Sequence, residues 1–204
     1  MARKLLRFAA VAVICLIVGA AVGFWAHRPR YDTGAGPLST VDIGFAQDMS
    51  VHHEQAVLLA RTLPADAGPQ IRGVAERIVL AQTAEIAQLR GWLQLFDLPL
   101  STDQPMHWMG HEHGGHGAPM PGLASTAEIT QLAGLHGAAA EVLFLQLMIR
   151  HHRGGVAMAQ TAFNTGSAPA VTRAALEMVN EQGNEIGEMT ALLTARQGRP
   201  LPFP

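Results

Sequence analysis

From Ser39 onward, apolar residues return every three or four positions, and each such run is bounded by a recognisable start or stop signal. Ser39 followed three residues later by Asp42 reads as a helix cap with an acid at the positive end of the dipole, and Pro64 stops the run that follows. A second helix is expected from about Pro69, a residue suited to a first turn, to about Phe96. Ser125-x-x-Glu128 is another capping box opening a short helix, which Gly134 and Gly137 separate from a long one reaching about Asn164. Pro169 starts the last helix, which ends before Gly198 and Pro200.

The pattern repeats. At an offset of 99, Phe45 matches Phe144, Met49 matches Met148, His52 and His53 match His151 and His152, and Ala60 matches Ala159. At an offset of 100, Ala75, Gln82, Glu85, Ile86 and Leu93 match Ala175, Gln182, Glu185, Ile186 and Leu193. One extra residue in the second connection accounts for the change. Each half is therefore a helical hairpin, and two hairpins that each expose an apolar stripe predict an all-α fold, a four-helix bundle. The expected organisation is a hairpin over residues 39–97, a loop over 98–124, a second hairpin over 125–198 and a tail over 199–204.

Polar residues interrupt the stripes at matching places. Asp42, Phe45, Met49, Ala56 and Ala60 form one seam, and His52 and His53 straddle it. The second half repeats this with Glu141, Phe144, Met148, His151, His152, Gly155 and Ala159. On the partner helices Gln82 and Glu85, and again Gln182 and Glu185, fall within the apolar stripe. Buried imidazole, amide and carboxylate groups are costly unless they find one another or a metal. Asp42, Gln82, Glu85, Glu141, Gln182 and Glu185 are thus expected to hold the imidazoles in place, as carboxylates and amides do behind metal-bound histidines.

The amino terminus differs in kind. Arg3, Lys4 and Arg7 close a basic end over residues 1–7 and precede a charge-free run from Phe8 to Ala26, about 28 Å of helix and about one hydrocarbon thickness. The end of that run, Gly23-Phe24-Trp25-Ala26, is a poor cleavage site, so residues 8–26 are expected to be a transmembrane anchor or uncleaved signal, with the chain secreted if the segment is cut. Residues 27–38 read as a linker, and the globular part as lying outside the cytoplasm, on the periplasmic or cell-surface side. Cys15 lies inside the apolar run and offers neither an intrachain disulfide nor a cysteine-rich metal site. With 49% hydrophobic and 15% charged residues the chain is globular, and a net charge of -2 leaves no electrostatic footprint for nucleic acid. A homo-oligomer is compatible with a bundle, and nothing in the sequence compels one.

The candidate chemistry is metal binding. Three residues before each bundle histidine stand Met49, Ser50, Met148 and Ile149, never the glutamate of a di-iron Glu-x-x-His motif. Thioether with imidazole favours copper, above all Cu(I), with Cu(II) and Ag(I) as further candidates. The inter-hairpin loop carries Met106, His107, Met109, His111, His113, His116 and Met120, seven donors in fifteen positions. Met158, seven residues after His151, adds another thioether in the second half.

The paired stretches "DIGFAQDMSVHHEQAVLLA" and "EVLFLQLMIRHHRGGVAMA", followed by "QTAEI" and "EQGNEI", resemble the family labelled domain of unknown function 305, which includes CopM-type copper metallochaperones. "MPGLAS" and "RGWL" fit the same resemblance, which spans residues 39–197. It implies a ferritin-like four-helix bundle, exported or anchored, that binds copper and in some members serves copper resistance. The first half departs from it, with Leu59 opposite Met158 and Leu89 opposite Met189; Glu141 replaces the usual aspartate matched by Asp42, and Leu123 a frequent methionine. The reading is a copper metallochaperone, buffer or resistance protein, not an enzyme, with a copper-exchanging protein as partner. The alternatives are a membrane-tethered interaction module whose His-Glu layers are structural, and, less favoured, a metal-dependent oxidoreductase.

Overall fold

Ser39 caps the first helix as the capping box requires: its Oγ accepts from Asp42 N at 3.2 Å, and Asp42 Oδ2 accepts from Ser39 N at 2.8 Å. The computed structural model describes residues 37–110 and 120–203. Its helices are α1 (Thr40–Thr62), α2 (Pro69–Leu95), α3 (Thr126–Gly134), α4 (Gly137–Thr165) and α5 (Pro169–Ala195), with a 3-10 turn at His107–Met109. There is no strand among the described residues. Pro69 and Pro169 each stand in the first turn of a helix, where a missing N–H costs nothing. Leu135 and His136 separate the short α3 from α4, and Gly137 adopts a φ of 52°. The predicted membrane span, residues 8–26, lies outside the described residues, and no helix among them is long and apolar enough to cross a membrane.

α1 pairs with α2 and α4 with α5, and the two hairpins meet along α1 and α4, with α3 against both. Burial along α2 and α5 follows nearly the same sequence of buried and exposed positions at the 100-residue offset. Two apolar clusters fill the bundle. One gathers Leu59, Ile71, Ile78, Phe144, Met148 and Met189; the other gathers Phe45, Met49, Leu89, Met106, Met158 and Met178.

Asp42 and Glu141, expected to support the imidazoles, make their hydrogen bonds elsewhere, and the reason lies in helix capping. Gly68 and Ala168, the caps of α2 and α5, offer no side-chain acceptor of their own. The carboxylate of the opposite hairpin supplies it: Glu141 Oε1 accepts from Gly68 N at 2.7 Å, and Asp42 Oδ2 accepts from Ala168 N at 3.2 Å and Ser167 Oγ at 3.0 Å. Arg196 also donates to Glu141. Each hairpin thus caps the other's second helix, where the N–H groups lack partners and the dipole favours an anion. Burial pushes the Asp42 carboxyl upward, but hydrogen bonds from Ser39, Ser167 and Ala168 outweigh it and leave the group below its ordinary value.

Candidate metal centre

All four paired histidines are fully buried. Straddling the seam puts one of each pair between the hairpins and the other toward its own partner helix. His52 and His151 stack across α1 and α4 with ring centroids 3.9 Å apart and planes at 38°. His151 Nε2 donates to the backbone carbonyl of His52 at 2.9 Å, and His52 Nε2 donates to the carbonyl of Pro121 at 3.0 Å. A carbonyl only accepts, so both Nε2 atoms carry the proton. Burial, then the neighbouring imidazoles, push His151 well below its usual value; burial and His53 push His52 down to about 3, against the opposing pull of the Pro121 carbonyl. Both rings are therefore neutral at pH 7, with the Nδ1 lone pair free.

His53 and His152 face the outer helices. His152 Nε2 hydrogen-bonds to Glu185 Oε2 at 2.8 Å. His53 Nε2 lies 2.8 Å from Glu85 Oε2, although the angle falls outside hydrogen-bond geometry. Across the set, Nδ1 of His52, His53, His151 and His152 has no partner among the described residues, and neither do the side-chain amides of Gln82 and Gln182. Gln182 leans onto Gly155, where any Cβ would stand 2.2 Å from its Oε1. Unpartnered buried acceptors of this kind call for a ligand or a cost.

The thioethers are distributed unevenly. Met49, Met106, Met158 and Met178 share one apolar cluster, with Met109 and Met120 packed against it. Met148 lies in the other, with Leu59 and Met189. The leucine at position 59 therefore thins the donor set only away from the methionine-rich cluster. Among the described residues no three His, Cys, Asp or Glu side chains are grouped to hold a metal ion. Imidazole Nδ1 with thioether is a soft set, fitting Cu(I) or Ag(I) and unsuited to iron or manganese.

Both described ends of the loop are fastened to α1. Asp48, buried on α1, accepts from Met106 N at 2.6 Å and Trp108 Nε1 at 2.8 Å. Trp108 meets Phe45 edge-on at 5.7 Å and covers Gly44, where a Cβ would stand 2.5 Å from the indole. His107 is exposed beside it. His111, His113 and His116 lie outside the described residues. Gly44→Ala is expected to push the indole off α1 and destabilise the fold by about 1–3 kcal/mol; red-shifted tryptophan emission in residues 31–204 carrying Trp92→Phe, where Trp108 is the remaining indole, checks it. Asp48, Gly44 and Gly154 are not among the residues that the sequence pattern singles out. Asp48 alone carried a signal, a carboxylate one residue from the seam.

The sequence profile of the family described as domain of unknown function (DUF305) matches residues 42–193. A presumed secreted DUF305 protein from Streptomyces coelicolor is similar over 79% of this chain and 96% of its own, with 39% identity and a TM-score of 0.73. A DUF305 fragment from Deinococcus radiodurans is 33% identical, covering 78% of this chain and 99% of its own, with a TM-score of 0.67. CopM in its Cu(I)-bound form shares the fold, with a TM-score of 0.60 over 77% of this chain and 98% of its own, at 23% identity. No curated protein matches the chain.

Proposed function

The chain belongs to the domain of unknown function 305 family, and from that premise we propose that it binds copper outside the cytoplasm, as a metallochaperone, buffer or resistance protein. One observation carries the reading. Four buried imidazoles have Nδ1 atoms without partners, Met49 and Met148 stand three residues before His52 and His151 on the same helices, and both described ends of a Met/His tract are tied to α1. Cu(I) accepts such ligands without demanding charge. In support, the fold is shared with a protein solved in Cu(I)-, Cu(II)- and silver-bound forms.

Met49, His52, His53, Met148, His151, His152 and Met158 are the bundle donors of this reading, with Glu85 and Glu185 orienting the outer imidazoles. Met106, His107, Met109, His111, His113, His116 and Met120 form the capture tract, which exchanges copper with the bundle and with a partner protein. Residues 8–26 tether the domain to a membrane; retention of the full chain in membranes washed with alkaline carbonate would support the tether, and release would remove it.

The test is a competition titration of residues 31–204 with Cu(I) against a colorimetric chelator. It is run beside a variant lacking residues 110–119 and one with all four paired histidines changed to Gln. Stoichiometric binding that weakens by at least about tenfold in the histidine variant is expected. A wild-type chain that never competes for Cu(I) ends the proposal. A second reading, a structural His-Glu layer in an interaction module, draws on His152 and His53 standing 2.8 Å from Glu185 and Glu85. It expects the histidine variant to lose stability and keep its copper affinity.

A further inference from the structure

The approximate two-fold of the repeat fails at the stacked histidines. His151 Nε2 donates to the carbonyl of His52, and symmetry would have His52 donate to the carbonyl of His151. It donates instead to Pro121, in a segment with no counterpart in the first half. Met120-Pro121-Gly122-Leu123 is a turn of type II form, with proline second, Gly122 third at a φ of 78°, and Leu123 N bonded to Met120 O at 3.4 Å. Such a turn leaves the Pro121 carbonyl free to face outward, toward His52.

The segment lies on a seat made by two missing side chains. A Cβ on Gly154 would stand 1.9 Å from Pro121 O, and one on Gly122 would stand 2.3 Å from the Arg150 carbonyl. Apolar contact holds it at its two ends, where Met120 packs against one core cluster and Ala124 joins the other, while Met120, Pro121 and Leu123 are only partly buried. The remaining grip is polar. Ala124 N donates to Gln55 Oε1 at 2.6 Å, Gln55 Nε2 donates to Ala124 O at 2.9 Å, and Arg150 Nη2 donates to Leu123 O at 3.3 Å. A short segment whose middle is held mainly by a few hydrogen bonds opens before the whole fold does.

We propose that Met120–Ala124 is a hinged strap whose opening uncovers the stacked His52 and His151, making it the gate through which metal reaches that pair. The gating role rests on the copper reading; the opening itself does not. Lifting the turn breaks the Pro121 contact, exposes His52 Nε2 and carries the Met120 thioether with it. Closing returns His52 to its fully buried state.

Gln55→Ala removes both bonds to Ala124, and Gly154→Ala forces the turn off its seat; neither residue is a proposed ligand. In metal-free full-length protein, hydrogen exchange at the Ala124 amide and diethyl pyrocarbonate modification of His52 and His151 are expected to accelerate by about tenfold in each variant. Stopped-flow capture of Cu(I) should accelerate in parallel, with the equilibrium affinity nearly unchanged. Should Gly154→Ala fail to fold, Gln55→Ala carries the comparison. Wild-type rates of exchange and modification in Gln55→Ala would overturn the strap. Faster modification with an unchanged rate of Cu(I) capture would overturn its role as gate. A wild-type chain that captures no copper overturns the functional reading and that gate together, while exchange and modification still decide whether the strap opens.

Discussion

Lowering the pH from 7.5 to 4.5 is expected to remove roughly 3 kcal/mol of folding stability through His52 alone. In the folded chain His52 titrates at about 3, because burial and then His53 disfavour its charge. In the unfolded chain it returns to about 6.5. The unfolded state therefore binds the extra proton first as pH falls. The stability is fully present above about 6.5, drains away below it, and stops falling near the folded value. His151 is shifted in the same direction, for burial first and its imidazole neighbours second, and steepens the loss. Carboxylates do not cancel it in this window. Asp48 and Glu181 are raised, mainly by burial, and give a small opposite contribution as they protonate. Glu128, held at about 2 by Arg150, and the lowered Asp42 and Glu141 withdraw their support only in stronger acid.

Urea unfolding at the two pH values measures the loss, and His52→Gln identifies its source. Glutamine keeps an N–H donor that can reach the Pro121 carbonyl but does not titrate, so the gap between the two pH values should narrow by about the same 3 kcal/mol. An equal gap in wild type and variant would place the acid sensitivity elsewhere. Below pH 7 the same depressed values keep both Nδ1 lone pairs available to metal when an exposed histidine would already be charged.

That layer was only half legible in the sequence. Local rules place the helices well: Ser39 and Ser125 cap as their boxes demand, Pro69 and Pro169 open helices, and Gly134 and Gly137 bound the break between α3 and α4. The repeat announces the hairpins because a 99- or 100-residue offset preserves every helical phase. It also puts His53 and His152 opposite Glu85 and Glu185, since those positions share a hairpin and a register.

Contacts between hairpins follow no such periodicity. That His52 would stack on His151 depends on how α1 and α4 cross, and both members of each pair sit equally close to the seam. Gly154 looks like one of two consecutive helix-weakening glycines until the Pro121 carbonyl is seen resting on it. Asp48 stands one residue from the seam, but the indole it accepts from arrives from sixty residues downstream. Non-local seats of this sort have no signature in the segments that make them. The same blindness led sequence reasoning to give Asp42 and Glu141 to the imidazoles, when the caps they supply belong to helices from the opposite half.

Asp42→Ala is expected to destabilise the fold by about 3 kcal/mol, a fall in Tm of roughly 6–12 °C for a domain of this size. The side chain is fully buried and accepts from Ser39, Ser167 and Ala168, so its removal leaves several N–H and O–H groups without an acceptor and the α5 dipole without its anion. Asp42→Asn keeps an acceptor and loses the charge, and should fall between. Glu141→Ala removes the matching cap of α2 together with the ion pair to Arg196 and should behave alike, though somewhat more mildly because fewer donors lose their acceptor. Both caps hold one hairpin against the other. Once the first is lost and the seam loosens, the second has less to hold, so the double variant should lose less than the sum of the single ones. Thermal unfolding of the four proteins tests the coupling. A titration with Cu(I) separates this role from the one the sequence suggested: if Asp42 acts through α5, the folded Asp42→Ala protein binds copper within about threefold of wild type. A carboxylate that steadied the imidazoles would instead weaken copper by about tenfold or more when removed.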